Sequence, residues 1–385
     1  MMRASANALL ILLLCTLSTS YIPTPILTSP IISRSTSKTT LHASTTPFQQ
    51  SPFSLLVESH LQKKFSHQGD ISRVIASWRA LDEEKTLNLP YGSPSSPNYS
   101  PLYSKQEARS FLSNLTARAW WSPQTPGLDY SSQLENHFST IRQEFISVSS
   151  SSSKMSSGNN IWASAADGDS AESYGPDWKT LVLMDRTTWD PTNSLLFPKT
   201  CSALIDSKVP CVEAFFAKMD GKTKINPHTD SCNFILTSHL ALIIPENGRN
   251  KCRLRVGDEE REWLEGKVSV FDTSIYHDAV NDSDGERYIL MLRVWHPELT
   301  SVERQALQYT FDCLDVPNLL SEDEGERWLA ERQVEIMRTV PDGVLEGGGR
   351  EGGKEGESEN VEGLTKKERK RLAKKVGRGG GAGFG

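Results

Sequence analysis

From Trp178 to Trp295 the chain reads as one short strand after another, with no βαβ unit among them. Leu181-Val182-Leu183-Met184 is one such run. Thr223 to Asn226, Cys252 to Val256, Lys267 to Phe271 and Arg287 to Trp295 are others, separated by Asn-Gly, Gly-Asp and Asp-Gly turn signals. Asn233 to Pro245 is longer and alternates. It puts Phe234, Leu236, Leu240, Leu242 and Ile244 on one face and Thr237, His239 and Ala241 on the other. Many short strands joined by turns predict a mainly β fold, a jelly-roll or barrel-like sandwich whose mouth is a ligand cavity.

One constellation of polar residues falls inside this run. Pro227-His228-Thr229-Asp230 places a histidine and a carboxylate two residues apart, on the same side of an extended segment. His277 closes Phe271-Asp272-Thr273-Ser274-Ile275-Tyr276-His277, and ten residues later Arg287 opens the apolar run Tyr288-Ile289-Leu290-Met291-Leu292. Two imidazoles and a carboxylate in this order match the facial triad that holds non-haem Fe(II) and leaves positions open for substrate and oxygen. An isolated His-x-Asp is more often a surface turn, and isolated histidines are more often hydrogen-bonded core residues. The joint pattern favours metal. Arg287 shares a strand face with Ile289 and Met291, so the guanidinium enters from the cavity wall, where its planar fork suits a carboxylate.

Residues 176–300 resemble the catalytic domain of the aspartyl/asparaginyl β-hydroxylase family of Fe(II)/2-oxoglutarate dioxygenases. The resemblance is carried by Pro198-Lys199-Thr200-Cys201, Pro227-His228-Thr229, His239-Leu240-Ala241-Leu242, Arg255-Val256-Gly257 and Trp263-Leu264-Glu265-Gly266-Lys267. It continues through Val270-Phe271-Asp272, His277, Arg287 and Val294-Trp295-His296-Pro297-Glu298-Leu299, in the family's order and spacing. Weaker similarity, through Leu134-Glu135 and Ile141-Arg142-Gln143-Glu144, extends back to about Trp120.

The resemblance implies a double-stranded β-helix, a jelly-roll or cupin-like fold, with flanking helices. It implies Fe(II), 2-oxoglutarate and O2 as cofactors and co-substrates, with ascorbate as reductant. His228 and His277 stand at the family's iron positions. Animal members have glycine where this chain has Asp230 and hold iron with two histidines; other members, including bacterial ones, have aspartate, so Asp230 is expected as the third ligand, against an exposed turn carboxylate. Arg287 is expected to bind a carboxylate of 2-oxoglutarate and His239 its other end. Met219 falls at a family position lining the same pocket, or is core filler.

One departure stands out. Animal members carry an arginine two residues before His239 that helps hold 2-oxoglutarate, and here Thr237 occupies that place, with one hydroxyl to offer. Ala217 also replaces a serine. Either co-substrate affinity is lower or another basic residue compensates, Arg253 or Arg255, of which Arg255 also belongs to the Arg-Val-Gly word and has a structural reading. The implied reaction is hydroxylation of an aspartyl or asparaginyl side chain of a protein, or of a related substrate such as the acyl chains of bacterial relatives. Two rivals remain at this point: a catalytically inactive binding module on the same fold, and a metal cupin that uses no oxoacid.

The flanks are read from composition. With 385 residues there is room for one large domain and flanking segments. Residues 1–20 read as a signal peptide or a short membrane anchor, and their apolar run is too short for a spanning helix. Residues 21–50, rich in Ser, Thr and Pro, read as a transit-like or disordered segment. The expected location is therefore a plastid reached by a bipartite presequence, or the secreted or endomembrane route. Residues 51–148 are expected to be a helical region, with one helix over Lys105 to Trp121 and another over Ser131 to Val148. Residues 149–175 are expected to be a flexible Ser-rich insert, 301–340 helices, and 341–385 a disordered Gly/Glu-rich stretch ending in a basic tail. A net charge of −6 gives no reason to expect nucleic acid. The six cysteines are too few for a disulfide scaffold, although Cys201 and Cys211 are close enough in sequence to bridge.

Overall fold

Three apolar cores organise the chain, and each follows from which faces of the strands are covered. The computed structural model describes residues 49–164, 178–245 and 251–347, all within one compact unit. The expected signal peptide, nearly all of the transit-like segment and most of the C-terminal tail lie outside the described residues. In chain order the first helices are α1 (Pro52–Phe65) and α2 (Ser72–Asp82). Ser51 caps α1 with its side chain and Pro52 occupies the first turn, where its missing N–H costs nothing. Strands β1 (Leu87–Pro90), β2 (Lys105–Ala108) and β3 (Trp120–Trp121) follow, then α3 (Tyr130–Asn136), α4 (Phe138–Ser149), α5 (Ser152–Met155) and β4 (Ala163–Ser164).

The barrel strands are β5 (Trp178–Asp185), β6 (Thr188–Trp189), β7 (Cys211–Met219), β8 (Thr223–His228) and β9 (Ile235–Ile243). They continue with β10 (Cys252–Val256), β11 (Glu259–Glu262), β12 (Val268–Phe271), β13 (His277–Asn281) and β14 (Arg287–Trp295). Two short helices, α6 (Asn193–Leu196) and α7 (Pro198–Asp206), precede β7. After β14 come α8 (Ser301–Asp315), α9 (Glu324–Arg338) and α10 (Asp342–Gly347). Thr300 and Glu303 form a reciprocal capping box at the start of α8.

Apart from a β1–β2 ribbon, the described strands make two antiparallel sheets. The larger runs β3-β12-β9-β14-β7-β5-β4, with β6 paired to β5, and the smaller runs β11-β10-β13-β8. Between them lies a core drawn from both: Phe215, Ala217, Ala241, Ile289 and Met291 from the larger sheet, Ile225, Leu254, Val256 and Ala279 from the smaller. The outer face of the larger sheet is covered by α4 and α7, with Leu236, Leu240, Leu242, Leu290 and Leu292 meeting Ile141, Phe145 and Leu204. This two-sided burial explains why β9 and β14 are so apolar. The third core joins α1, α2 and α8, and the Arg73 guanidinium locks α2 to α8 through two hydrogen bonds to Glu303, at 2.7 and 2.9 Å. The exposed edge β11 is Glu-Glu-Arg-Glu, a charge pattern that discourages further strand pairing. Gly257 opens the β10–β11 turn at φ +62°, a backbone angle that favours glycine.

The mainly β, jelly-roll expectation holds, with helices flanking the sheets. Several boundaries differ. The sheet does not begin at residue 176, because β3 pairs with β12 as an edge strand of the larger sheet and α4 covers its outer face. Residues 105–121 are not a helix. Their backbone N–H groups serve loops distant in sequence: Glu107 donates to the Ser274 carbonyl at 2.8 Å, and Arg109 and Ser110 donate to Ser231 at 3.0 and 2.8 Å. Asn233 closes the arrangement with a reciprocal pair of 2.9 Å bonds to Leu112. Tertiary hydrogen bonds override a helix-compatible composition there. The described part of the Ser-rich insert contains α5 and β4, and α10 occupies the start of the segment expected to be disordered. Cys201 and Cys211 are free thiols.

Candidate metal centre

His228 ends β8 and His277 begins β13, and the two are direct partners across that ladder, with ring centroids 4.2 Å apart. A register shift follows immediately after His277, which frees the strand ends to splay around the site. Each ring is oriented by its own chain two residues back. His228 Nδ1 lies 2.7 Å from the Asn226 carbonyl and His277 Nδ1 lies 3.0 Å from that of Ile275. A carbonyl can only accept, so each ring carries a proton on Nδ1, which leaves Nε2 as the ligand atom for a metal. Burial, together with the neighbouring His228, lowers the His277 pKa to about 3, which keeps that ring in the neutral form a metal requires.

Asp230 completes the set. Its backbone N–H donates to the Thr273 carbonyl at 2.7 Å, and its Oδ1 stands 3.9 Å from His228 Nε2. One ligand atom from each of His228, Asp230 and His277 falls within a 4.8 Å cluster. Burial alone would raise the Asp230 carboxyl, but the Arg293 guanidinium outweighs it, and the carboxyl lies below the usual carboxylate range. Two imidazoles and an ionised carboxylate are the donor set of a facial triad, so these residues fit Fe(II).

The triad opens into a narrow cavity between the sheets, walled by Trp178, Phe271, Ile289 and Met291. Arg287 enters it from β14, on the face it shares with Ile289 and Met291, and is 1% exposed. Its guanidinium lies 4.2 Å from the ring centre of Trp263, while Nε and Nη1 have no hydrogen-bond partner among the described residues. Burial pulls its pKa down to about 10, still cationic at neutral pH. His239, from β9, accepts the Trp263 indole N–H on Nδ1 at 3.1 Å. Burial, then the nearby Arg287, pushes the His239 pKa well down, so the ring is neutral with its proton on Nε2. That buried Nε2 also lacks a partner among the described residues. A cation with spare donors and a second donor on the same cavity fit the carboxylate and oxygen atoms of a small oxoacid.

Residues 135–297 match the family model described as Aspartyl/Asparaginyl beta-hydroxylase. Over these residues the chain is similar to that family. The mouse aspartyl/asparaginyl beta-hydroxylase is 30% identical over 201 residues, 51% of this chain and 26% of that protein. The human aspartate beta-hydroxylase domain-containing protein 2 is 32% identical over 144 residues, 35% of this chain and 38% of that protein. The ornithine lipid ester-linked acyl 2-hydroxylase of Rhizobium tropici is 31% identical over 116 residues, 30% of this chain and 40% of that protein. The chain thus spans about a quarter of the length of the mouse and human beta-hydroxylases. A cupin 2 conserved barrel domain protein from Salinispora arenicola aligns over 34% of this chain and 84% of that one, at 12% identity and a TM-score of 0.22. So low a score leaves the fold assignment to the strand order and the cores.

The structure brings His228, Asp230, His277, Arg287, His239 and Thr237 to one cavity. Met219 is the cross-strand partner of Arg287 and packs in the inter-sheet core without lining the cavity. Arg253 and Arg255 do not compensate for Thr237. They alternate with the inward Cys252, Leu254 and Val256, and face away: Arg253 pairs with Glu260 and Asp282, and Arg255 lies over the Tyr103 ring. Two residues of the site were not singled out from sequence. Trp263 supports both Arg287 and His239. Arg293 donates to Thr237 Oγ1 at 2.9 Å, to Thr273 Oγ1 at 3.2 Å and to the Asp230 carboxylate. Its signal was available in the even spacing from Arg287, which puts both on one strand face.

Proposed function

We propose that the domain is a hydroxylase dependent on Fe(II), 2-oxoglutarate and O2, acting on an aspartyl or asparaginyl side chain of a protein or on a related substrate. The observation that carries this reading is the sharing of one cavity by a His-Asp-His triad and a buried arginine with spare hydrogen-bond donors. Similarity to the family and the names of the relatives support hydroxylation. Iron, oxoacid and substrate are inferred.

The residues divide the work by position. His228 and His277 would hold iron through Nε2, each fixed by its Nδ1–H on a backbone carbonyl. Asp230 would supply the anionic ligand. Iron held there would supply, with 2-oxoglutarate and O2, the oxidising chemistry that turns the oxoacid into succinate and CO2 and puts one oxygen atom into a substrate C–H bond. Arg287 would pair with a carboxylate of the oxoacid through the donors it has spare, and the Nε2–H of His239 would donate to an oxygen of the same molecule. The apolar wall of Trp178, Phe271, Ile289 and Met291 keeps water from the reacting centre.

Succinate formation from 2-oxoglutarate with Fe(II) and ascorbate, abolished by His228→Ala, is the expected result. No succinate from folded, metal-loaded protein would favour the silent binding module. Metal-dependent turnover indifferent to Arg287→Ala would favour a cupin without an oxoacid. A mass-shift screen for one added oxygen in candidate peptides and lipids then identifies the substrate class.

A further inference from the structure

Arg293 lies one layer behind the cavity wall. It does not line the cavity, yet it touches three residues that do: Asp230, Thr237 and Thr273. On β14 it is six residues from Arg287, about 20 Å along a strand, so it belongs to the metal end of the cavity and not to the Arg287 end. Register places it between Glu213 on β7 and Thr237 on β9, and its side chain is 2% exposed.

We propose that Arg293 is a positioning residue for the metal centre, pinning Asp230 so that this aspartate serves as the third ligand. The inference rests on the metal-site reading above. The guanidinium grips Oδ2 of Asp230, and the other oxygen, Oδ1, is the one turned toward His228 Nε2. An aspartate on a loop beyond a strand end can turn about its side-chain bonds. A buried fork held to two threonine hydroxyls removes that freedom. The arrangement also accounts for Thr237. A basic side chain there would stand directly opposite Arg293 across the β9–β14 ladder, like charge against like charge, whereas a threonine hydroxyl accepts from it. Thr237, Arg293 and Asp230 therefore form one matched unit. The positive charge absent from position 237 sits across the ladder, where it acts through a metal ligand instead of on the oxoacid.

The test is a double-mutant cycle on Mn(II) affinity in the full chain, with Mn(II) as a redox-inert probe followed by electron paramagnetic resonance. Arg293→Met is expected to weaken Mn(II) binding about 10- to 100-fold, the usual effect of removing an outer partner of a ligand. Arg293→Lys, which keeps the charge, should recover most of that loss. Asp230→Ala should also weaken binding, and Asp230→Ala combined with Arg293→Met should bind no more weakly than Asp230→Ala alone. Should Arg293→Met fail to fold, Arg293→Gln replaces it, with the same expectation. A purely structural Arg293 would lower the unfolding midpoint, leave Mn(II) affinity within about threefold of the original and give effects that add to those of Asp230→Ala. Either of the last two results overturns the proposal. Tight Mn(II) binding without succinate formation would refute the oxygenase reading alone, since the cycle still decides the role of Arg293. Normal succinate formation with unmoved Mn(II) affinity in Arg293→Met would refute the Arg293 role alone.

Discussion

Trp263 and His239 are joined by an indole N–H···Nδ1 hydrogen bond of 3.1 Å, with their rings nearly parallel at 19°. This bond decides which nitrogen of His239 carries the proton, and so makes His239 a donor into the cavity. Trp263→Phe keeps an aromatic face under Arg287 but removes the donor. His239 can then adopt either tautomer. The KM for 2-oxoglutarate is expected to rise about tenfold, the equivalent of one buried hydrogen bond, with little change in kcat. Steady-state kinetics of succinate formation check this. A fall in kcat at constant KM would place Trp263 in some other role.

Arg287 gives a prediction in which activity and stability move in opposite directions. A buried cation whose Nε and Nη1 lack partners carries a desolvation cost that its contact with the Trp263 ring offsets only in part. Arg287→Met fills similar space without a charge. The unfolding free energy of the ligand-free protein should rise by about 1–3 kcal/mol, while 2-oxoglutarate consumption is lost. Denaturant titration and a succinate assay on the same preparation read both quantities. A less stable Arg287→Met would mean that the guanidinium contributes to the apo fold.

Much of the site was legible because strand side chains alternate. Period two puts His228 with Asp230 and Arg287 with Ile289 and Met291, and all five residues line the cavity. The same parity separates Arg253 and Arg255 from the inward Cys252, Leu254 and Val256, so their outward orientation was readable too. In β9, Leu236, Leu240 and Leu242 face the helices and Thr237 and His239 the cavity, as the alternation predicts; Phe234 and Ile244, beyond the strand ends, join other cores. What period two cannot supply is pairing between elements. The Arg293 contacts with Asp230 and Thr237 depend on which strand lies beside β14. Residues 105–121 went wrong for the same reason, since their backbone pairs with β1 and with loops at Ser231 and Ser274, more than a hundred residues away, and not with itself.

Glu144 explains why Pro198-Lys199-Thr200 can begin a helix without a capping side chain of its own. Its carboxylate, from α4, accepts from the backbone N–H groups of Lys199 and Thr200 at 2.8 and 2.7 Å and from the Thr200 hydroxyl at 2.7 Å. It thereby satisfies the exposed donors of α7 and places negative charge at the positive end of that helix. Glu144→Ala should cost about 1–2 kcal/mol of stability, measured as a lower denaturant midpoint, while metal affinity stays unchanged. An effect on metal binding would show that α7 communicates with the cavity across the larger sheet.

Glu213 yields a pH dependence whose sign can be worked out. It is buried on β7 beside Arg293, its Oε1 has no hydrogen-bond partner among the described residues, and burial raises its pKa from 4.5 to about 8. The nearby Asp185 adds to the rise, and Arg293 and Arg186 oppose it. Between these two values the folded chain holds a proton that the unfolded chain has released, so stability falls as pH rises. The contribution is fully present below about pH 4.5 and is lost as pH climbs through about 8. Glu213→Gln keeps the shape and removes the titration. Relative to that variant, the unaltered chain should lose up to about 1.4 kcal/mol per pH unit across the window, read from denaturant midpoints at about pH 5, 7 and 9. Parallel stability profiles for the two proteins would mean that Glu213 is ionised in the fold, with Arg293 compensating two carboxylates at once.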